Sequence, residues 1–246
     1  MIIGSRYIFS ENIDSTNAYA YRLLKQGPLP EGTVIHTNYQ SGGKGQKGHS
    51  WESEDSKNLL FSIVLFPDEI PAEDQFIISM TISLGIYDFL KTFISDCRIK
   101  WPNDIYAGYD KIAGILIENS ISGNKIESTI AGIGLNINQE EFLSNAPNPV
   151  SLRMLTGKSY APDIMLHKLV VKLDIRYKQL LSGKHSKIRK EYIESLFRLN
   201  EWESYKTESG VFYGRIISVT DAGRLQIEDR NLNIQEFSFK EIDFRL

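Results

Sequence analysis

Cysteine is almost absent from this sequence: Cys97 is the only one among 246 residues. A lone cysteine cannot form an internal disulfide framework, which excludes the small disulfide-stabilised secreted classes. Its scarcity is typical of proteins that work in a reducing compartment. We therefore expect a cytoplasmic protein.

Long apolar runs and a basic excess are also missing. The longest apolar stretch covers about residues 59–66 and is interrupted by Ser62, far short of the ~20 residues that a spanning helix needs. The first residues, MIIGSRYIFSEN, lack the basic start and apolar run of a signal peptide. The net charge of −3 provides no basic field for nucleic acid or an anionic membrane. We expect neither as a partner.

The remaining composition, 41% hydrophobic and 24% charged, is ordinary for a globular enzyme with one main core. Apolar periodicity predicts helices over residues 17–26, 74–94, 162–181 and 185–198, and strands over 6–10, 33–39, 58–66, 98–101, 111–118 and 127–136. Beyond residue 200, three short strands at 210–219, 223–228 and 231–239 suit a small barrel. The sequence predicts an α+β fold: a mixed β-sheet flanked by helices over residues 1–199, then a small β-barrel over residues 200–246.

A glycine-rich segment, GKGQKG, occupies residues 43–48. Its spacing matches the dinucleotide fingerprint, but a strand follows instead of the required helix, and the phosphate-binding loop fails for the same reason. Its glycines would still let the backbone approach a phosphate, beside the cationic Lys44 and Lys47. Trp51 could stack on a base. A solvated surface loop explains this segment equally well.

Four further segments stand in a fixed order: DSTN at residues 14–17, KWPND at 100–104, KIAGILIE at 111–118 and GIGLNIN at 132–138. Each alone has a simpler interpretation as a helix cap, a turn, a solvated lysine or a β-bulge. Together, with the glycine-rich segment between the first and second, they resemble the motif set of the biotin–protein ligase family. The resemblance covers roughly residues 13–138.

The resemblance implies a class II synthetase-like catalytic domain followed by an SH3-like barrel. It also implies a two-step reaction: biotin and ATP form biotinyl-5′-AMP, and the biotinyl group then passes to a lysine of a biotin carboxyl carrier domain of a biotin-dependent carboxylase. ATP and Mg²⁺ are the expected cofactors. Because the sequence has no cluster of His and Cys ligands, we expect no metal site made by protein residues alone, and magnesium held largely by phosphate oxygens.

The resemblance also implies residue roles. Lys111 bridges the biotin carboxylate and the α-phosphate, Lys44 supplies a second cation, and Asp104 orients the carrier's lysine. The residues expected to bind biotin are Ser15, Thr16, Asn17, Gln40, Gly43, Lys44, Gly45, Gln46, Lys111, Gly114, Leu116 and Gly132. Those expected to bind the nucleotide are Lys44, Gln46, Lys47, Trp51, Asn103, Lys111, Leu135 and Asn136.

This sequence departs from the family in its glycine-rich segment. Lys44, Gln46 and His49 stand where family members have arginine, so we expect a weaker charged clamp and faster loss of the adenylate, unless Lys47 or Lys57 compensates. Some members also carry an N-terminal DNA-binding domain. This chain begins about a dozen residues before Asp14, so we expect none here. A homodimer formed through strand edges is left open.

Two alternatives differ in substrate or in kind. A lipoate or octanoate ligase or transferase shares the architecture and the carrier-lysine target, and the joint presence of the DSTN, KWPND and KIAGILIE segments favours biotin over it. A non-catalytic sensor of biotin or nucleotide is the other. Retention of Lys111 and Asp104 argues against a sensor.

Overall fold

The computed structural model describes residues 1–46, 50–144 and 148–245. Seven strands form one sheet in the order β1-β2-β3-β7-β6-β5-β4. Only β1 and β2 run parallel; the other neighbours are antiparallel, which confirms the predicted mixed sheet. The strands are β1 Tyr7–Ile13, β2 Thr33–Gln40, β3 Leu59–Leu65, β4 Cys97–Lys100, β5 Asp104–Ala107, β6 Asp110–Ser122 and β7 Lys125–Leu135.

Five helices flank this sheet: α1 Thr16–Gln26, α2 Phe76–Leu90, α3 Leu152–Thr156, α4 Pro162–Leu181 and α5 His185–Glu194. The second of them, α2, is apolar on nearly every side and packs against α4 and α5, as expected for a helix buried in a core. Burial of its side chains against the sheet forms the main hydrophobic core. No helix of the described residues is long and apolar enough to cross a membrane.

A second, antiparallel sheet follows in the order β11-β10-β9-β8-β12. Its strands are β8 Trp202–Thr207, β9 Gly210–Val219, β10 Leu225–Asp229, β11 Ile234–Phe237 and β12 Asp243–Phe244. A small C-terminal β unit was expected from the strand pattern. It packs against the first unit through Trp101. The Trp101 indole N–H donates to Gly223 O at 2.9 Å, and the Phe239 ring lies 5.3 Å from the Trp101 ring.

Backbone hydrogen bonds also join the two units around residue 200. Ile99 N donates to Ser195 O at 2.9 Å, and Asn200 N donates to Ile216 O at 2.8 Å. The chain between α5 and β8 is therefore hydrogen-bonded to a strand of each sheet. The division of the molecule after residue 199 stays a prediction.

Some elements differ from those predicted. The strands β5, β8 and β12 and the short helix α3 were not predicted, and β1 runs on to Ile13. The last helix, α5, ends at Glu194 instead of residue 198. Its end has a physical reason, because Leu196 bridges to Ile99 of β4 and Arg198 takes a positive φ of 60°, which a helix cannot accommodate.

Candidate active site

A cavity of about 520 Å³ opens over the face of the first sheet, beside the docked C-terminal unit. The predicted motif segments meet at this cavity although they are far apart in sequence. Fourteen of the predicted site residues line it: Ser15, Thr16, Asn17, Gln40, Lys44, Gly45, Gln46, Trp51, Asn103, Asp104, Lys111, Gly114, Leu116 and Gly132.

Three predicted residues do not line the cavity. Gly43 uses its carbonyl to accept the Trp51 N–H at 2.9 Å, which closes the base of the glycine-rich segment. The side chain of Leu135 is fully buried in the core. Asn136 is also buried, and its side-chain amide donates to Val150 O at 3.1 Å. These three residues support the cavity from behind its surface.

The glycine-rich segment is partly described. Lys44 pairs with Ser50 in an isolated antiparallel bridge, and Lys44, Gly45 and Gln46 reach the cavity. The predicted nucleotide-binding residue Lys47, together with Gly48 and His49, lies outside the described residues.

Lys111 and Asp104, which both line the cavity, form an ion pair. Lys111 Nζ lies 2.8 Å from Asp104 Oδ1, and both side chains are largely buried. Backbone hydrogen bonds hold Lys111 in place: its N–H donates to Asn148 O at 2.7 Å and its carbonyl accepts the Val150 N–H at 3.0 Å. Apart from this ion pair, no partner of Asp104 Oδ1 is found among the described residues. This oxygen can accept another donor or a hard cation.

A polar network closes the other end of the cavity, around Asn17 at the start of α1. Its amide group donates to Glu118 Oε2 at 2.7 Å and to Leu116 O at 3.2 Å. Ser62 Oγ lies 2.6 Å from Asn17 Oδ1 and 2.7 Å from Thr16 Oγ1. Such a network fixes which atoms of the buried side chains remain free to face a polar ligand.

The start of α1 is stabilised by a side chain from another strand and not by a side-chain cap. Ser15 occupies the N-cap position but makes no capping hydrogen bond with its side chain. Instead, the Thr16 N–H donates to Gln40 Oε1 at 2.7 Å. Asp14 pairs with Arg22, and this guanidinium lowers the pKa of Asp14. Gln40 is thus a structural partner of the same turn that carries Thr16 and Asn17.

Trp51 lies flat over two glycines that face each other on neighbouring strands. Gly114 of β6 and Gly134 of β7 are paired in register. A Cβ atom at Gly114 would be 2.9 Å from the Trp51 ring, and one at Gly134 would also clash with the ring. The indole N–H is buried without a partner among the described residues, and Lys111 Nζ lies 5.8 Å from the ring centroid. The arrangement can hold a flat aromatic group close to the sheet.

Sequence reasoning missed several residues of this site. Ser62 gave a signal, a single hydroxyl in an apolar strand, but was noted only as an interruption; Glu118 ended a recognised segment without a role. No signal pointed to the C-terminal unit, whose Lys240, Ile242, Asp243 and Phe244 line the cavity. Lys100 and Tyr106 line it as well, and burial lowers the pKa of Lys100 and raises that of Tyr106.

Comparison with known proteins gives one consistent result. A model of the biotin/lipoate A/B protein ligase family matches residues 9–136. The chain is 30% identical over 221 residues to the biotin–[acetyl-CoA-carboxylase] ligase of Paracoccus denitrificans, covering 86% of this chain and 90% of that relative. It is 25% identical over 231 residues to the bifunctional ligase/repressor BirA of Bacillus spizizenii, covering 92% of this chain and 70% of that relative.

A solved structure agrees over the full length. The biotin protein ligase from Aquifex aeolicus in complex with biotin and ATP superposes on this chain with a TM-score of 0.80 at 25% identity. The match covers 98% of this chain and 99% of that one. It therefore includes the helix-flanked mixed sheet and the C-terminal β unit alike.

Proposed function

This chain belongs to the biotin/lipoate A/B protein ligase family, and from that membership and the cavity we infer that it is an ATP-dependent biotin–protein ligase. It forms biotinyl-5′-AMP from biotin and ATP and transfers the biotinyl group to a lysine of a carrier protein. The observation that carries this inference is the Lys111–Asp104 ion pair, 2.8 Å long, in a cavity lined by the predicted motifs.

In the first half-reaction a biotin carboxylate oxygen attacks the α-phosphorus of ATP, and pyrophosphate leaves. Two anions must approach each other, so a cation held in place before the reaction lowers the barrier most effectively. Lys111 meets this requirement because its backbone N–H and carbonyl are both hydrogen-bonded and its side chain lines the cavity. Lys44 and Gln46 at the cavity rim supply further donors.

The polar end of the cavity suits biotin, whose ureido group carries donors and an acceptor next to an apolar body. The Ser62–Asn17–Glu118 network offers hydroxyl, amide and carboxylate groups in a fixed arrangement. Gly132 lies so close to Asn17 that a Cβ atom there would clash. Because Gly132 has no side chain, the bicyclic ring of biotin can bind close to the sheet. A buried polar group left unpaired costs ~1–3 kcal/mol, which favours the vitamin that satisfies this network.

In our proposal the nucleotide lies against Trp51 and Asn103, beside the Lys111–Asp104 ion pair. Magnesium would be held here by the Asp104 carboxylate, which lines the cavity and whose Oδ1 has no partner among the described residues besides the Lys111 ammonium. Mg²⁺ is usually held by one or two carboxylates together with substrate phosphates, and no cluster of three or more metal-binding side chains is found in the described part of the chain. When bound, it neutralises phosphate charge.

In the second half-reaction the carrier's lysine amine attacks the carbonyl carbon of biotinyl-5′-AMP, and AMP leaves. The incoming ammonium is oriented by Asp104 and must lose its proton before attack. The acceptor is a biotin carboxyl carrier domain of a biotin-dependent carboxylase. The net charge of −3 and the single buried cysteine fit a cytoplasmic ligase that does not bind DNA.

The test separates the two half-reactions with purified protein, ATP, magnesium, biotin and a carrier domain. Wild-type protein should release pyrophosphate only with biotin and add the mass of one biotinyl group to the carrier. Lys111→Met should slow pyrophosphate release by on the order of 100-fold or more, because the central cation is lost.

Lys125→Met is the matched control, since Lys125 is an exposed lysine at the start of β7, outside the cavity. It should behave as the wild type. Pyrophosphate release driven by lipoate instead of biotin, or a Lys111→Met enzyme of normal rate, would contradict the proposed function.

A further inference from the structure

The end of the cavity opposite the biotin network contains a second set of donors. This end is lined by Lys100 at the end of β4, Tyr106 on β5 and Phe244 on β12 of the C-terminal unit. Lys100 and Tyr106 carry the donors. Neither Lys100 nor Tyr106 has a role in the proposed reaction so far. Both have unused hydrogen-bonding capacity.

Lys100 is a largely buried cation that forms no direct ion pair with the described residues. Its Nζ lies 4.7 Å from the Phe244 ring centroid and 5.3 Å from that of Tyr106. No carboxylate in the described part of the chain is within ion-pair distance of it, whereas Lys111 is paired with Asp104. Burial lowers the pKa of Lys100. A desolvated ammonium of this kind gains strongly from an anion, because the local dielectric is low.

Tyr106 adds a neutral donor. Its side chain is fully buried, and its hydroxyl has no hydrogen-bond partner among the described residues. Burial raises its pKa, so the hydroxyl keeps its proton at neutral pH. Other buried tyrosine hydroxyls in the described part of the chain also lack a partner, but Tyr106 is the one of them that lines the cavity, where it can donate to a ligand.

Strand register places these two donors on the far side of Lys111 from biotin. Lys100 faces Asp104 across β4 and β5, and Tyr106 faces Lys111 across β5 and β6. The biotin end lies in the opposite direction, where Leu116 of β6 faces Gly132 of β7. In phosphoryl and nucleotidyl transfer, the attacking and leaving oxygens lie roughly in line at the phosphorus. If biotin approaches from one side, pyrophosphate departs toward the other.

We propose that Lys100 and Tyr106 form a pyrophosphate subsite that binds the β- and γ-phosphates of ATP and stabilises the leaving group. The inference rests on the proposed function and extends it by assigning residues to the leaving group. Asp243 and Asp104 lie close enough to act on the Lys100 charge, with Lys111 and Arg198 as the opposing cations. The two carboxylates suit the Mg²⁺ that accompanies pyrophosphate in solution.

The experiment uses the reverse reaction, in which magnesium pyrophosphate converts preformed biotinyl-5′-AMP on the full-length protein back to ATP and biotin. The measured quantity is the pyrophosphate concentration for half-maximal reversal. Lys100→Met should raise it by roughly 10–100-fold, the effect of losing a hydrogen bond to a charged group, and Lys100→Arg should restore most of the loss. Tyr106→Phe should raise it by roughly 2–10-fold.

Arg98→Met is the matched control, because Arg98 is a cation on the same strand that does not line the cavity. It should leave the pyrophosphate dependence unchanged. Biotin affinity, measured by calorimetry, should be the same as that of the wild type in all four variants. A normal affinity shows that the site is folded. A half-maximal concentration within twofold of wild type in both Lys100→Met and Tyr106→Phe would overturn the subsite, whereas a wild-type protein that makes no adenylate would overturn the proposed function itself.

Discussion

At the scale of single residues, Asp104 has two partners in the proposed reaction. Its Oδ1 lies 2.8 Å from Lys111 Nζ and has no further partner among the described residues. The sequence placed Asp104, Lys111 and Asn17 in one site because each belongs to a recognisable segment. It could not place Ser62 or Glu118, because they contact Asn17 from 45 and 101 residues away and belong to no pattern of their own.

We predict that Asp104→Asn slows transfer to the carrier by on the order of 100-fold and adenylate formation by less, because the amide cannot pair with the incoming ammonium. Single-turnover measurements of pyrophosphate release and of carrier biotinylation from preformed adenylate check this. Asp110→Asn, at the start of β6 and outside the cavity, is the control. Equal slowing of both steps by Asp104→Asn would refute the division of roles.

At the scale of secondary-structure elements, long periodic segments such as α4 were predicted well, and several short ones were missed. Strands β5 and β12 contain four and two residues, too few for an alternating pattern to stand out. They are strands because their neighbours supply the hydrogen bonds. The N-terminus is likewise fixed by a distant element: Asp174 of α4 accepts the backbone N–H groups of Ile2 and Ile3 at 2.6 and 3.0 Å.

Asp174→Asn should lower the free energy of unfolding by about 1–3 kcal/mol at neutral pH, because a buried charged acceptor is lost. Burial alone would raise the pKa of Asp174, but hydrogen bonds from Lys178, Ile2 and Ile3 outweigh it and the net shift is downward. The stabilisation is therefore complete above the usual value of 3.8 and disappears as the pH falls through the lower folded-state value.

Urea unfolding should thus show a constant difference in the free energy of unfolding between wild type and Asp174→Asn from neutral pH to about pH 5. This difference should narrow as the pH falls below the unfolded-state pKa of Asp174. Lys178→Met serves as the comparison, since it removes the exposed ion-pair partner and leaves both backbone donors in place. A free-energy difference that widens in acid would contradict this account of the N-terminus. So would a larger decrease in the free energy of unfolding in Lys178→Met than in Asp174→Asn.

At the scale of the whole molecule, the C-terminal β unit completes the cavity as well as covering the core. Its strand pattern was visible in the sequence, but its contribution of Asp243 and Phe244 to the site was not, since docking depends on contacts that no local pattern encodes. Gly223 lies at the junction. It has a φ of +86°, accepts the Trp101 indole N–H, and a Cβ atom there would be 2.6 Å from the Phe76 ring.

Gly223→Ala should destabilise the protein more than Gly123→Ala, by about 1–3 kcal/mol, the usual effect of overpacking. Both glycines have positive φ, but a Cβ atom at Gly123 meets nothing within 4 Å. The comparison therefore separates the contact between the C-terminal unit and Phe76 of α2 from backbone strain. Thermal unfolding measures the difference, and the ATP concentration for half-maximal adenylate formation should rise in Gly223→Ala alone. Equal effects of the two substitutions would show that the junction tolerates the extra atom.

The floor of the site has a consequence for how this enzyme can vary. Trp51 and Asn17 rest on Gly114, Gly132 and Gly134, where even one methyl group would occupy space that the neighbouring side chains need. Side chains in the glycine-rich segment can vary in charge and length without such clashes: Lys44 keeps a cation beside the cavity, and Gln46 keeps only an uncharged hydrogen-bonding group. The positions with the least freedom to mutate are the ones that carry no side chain.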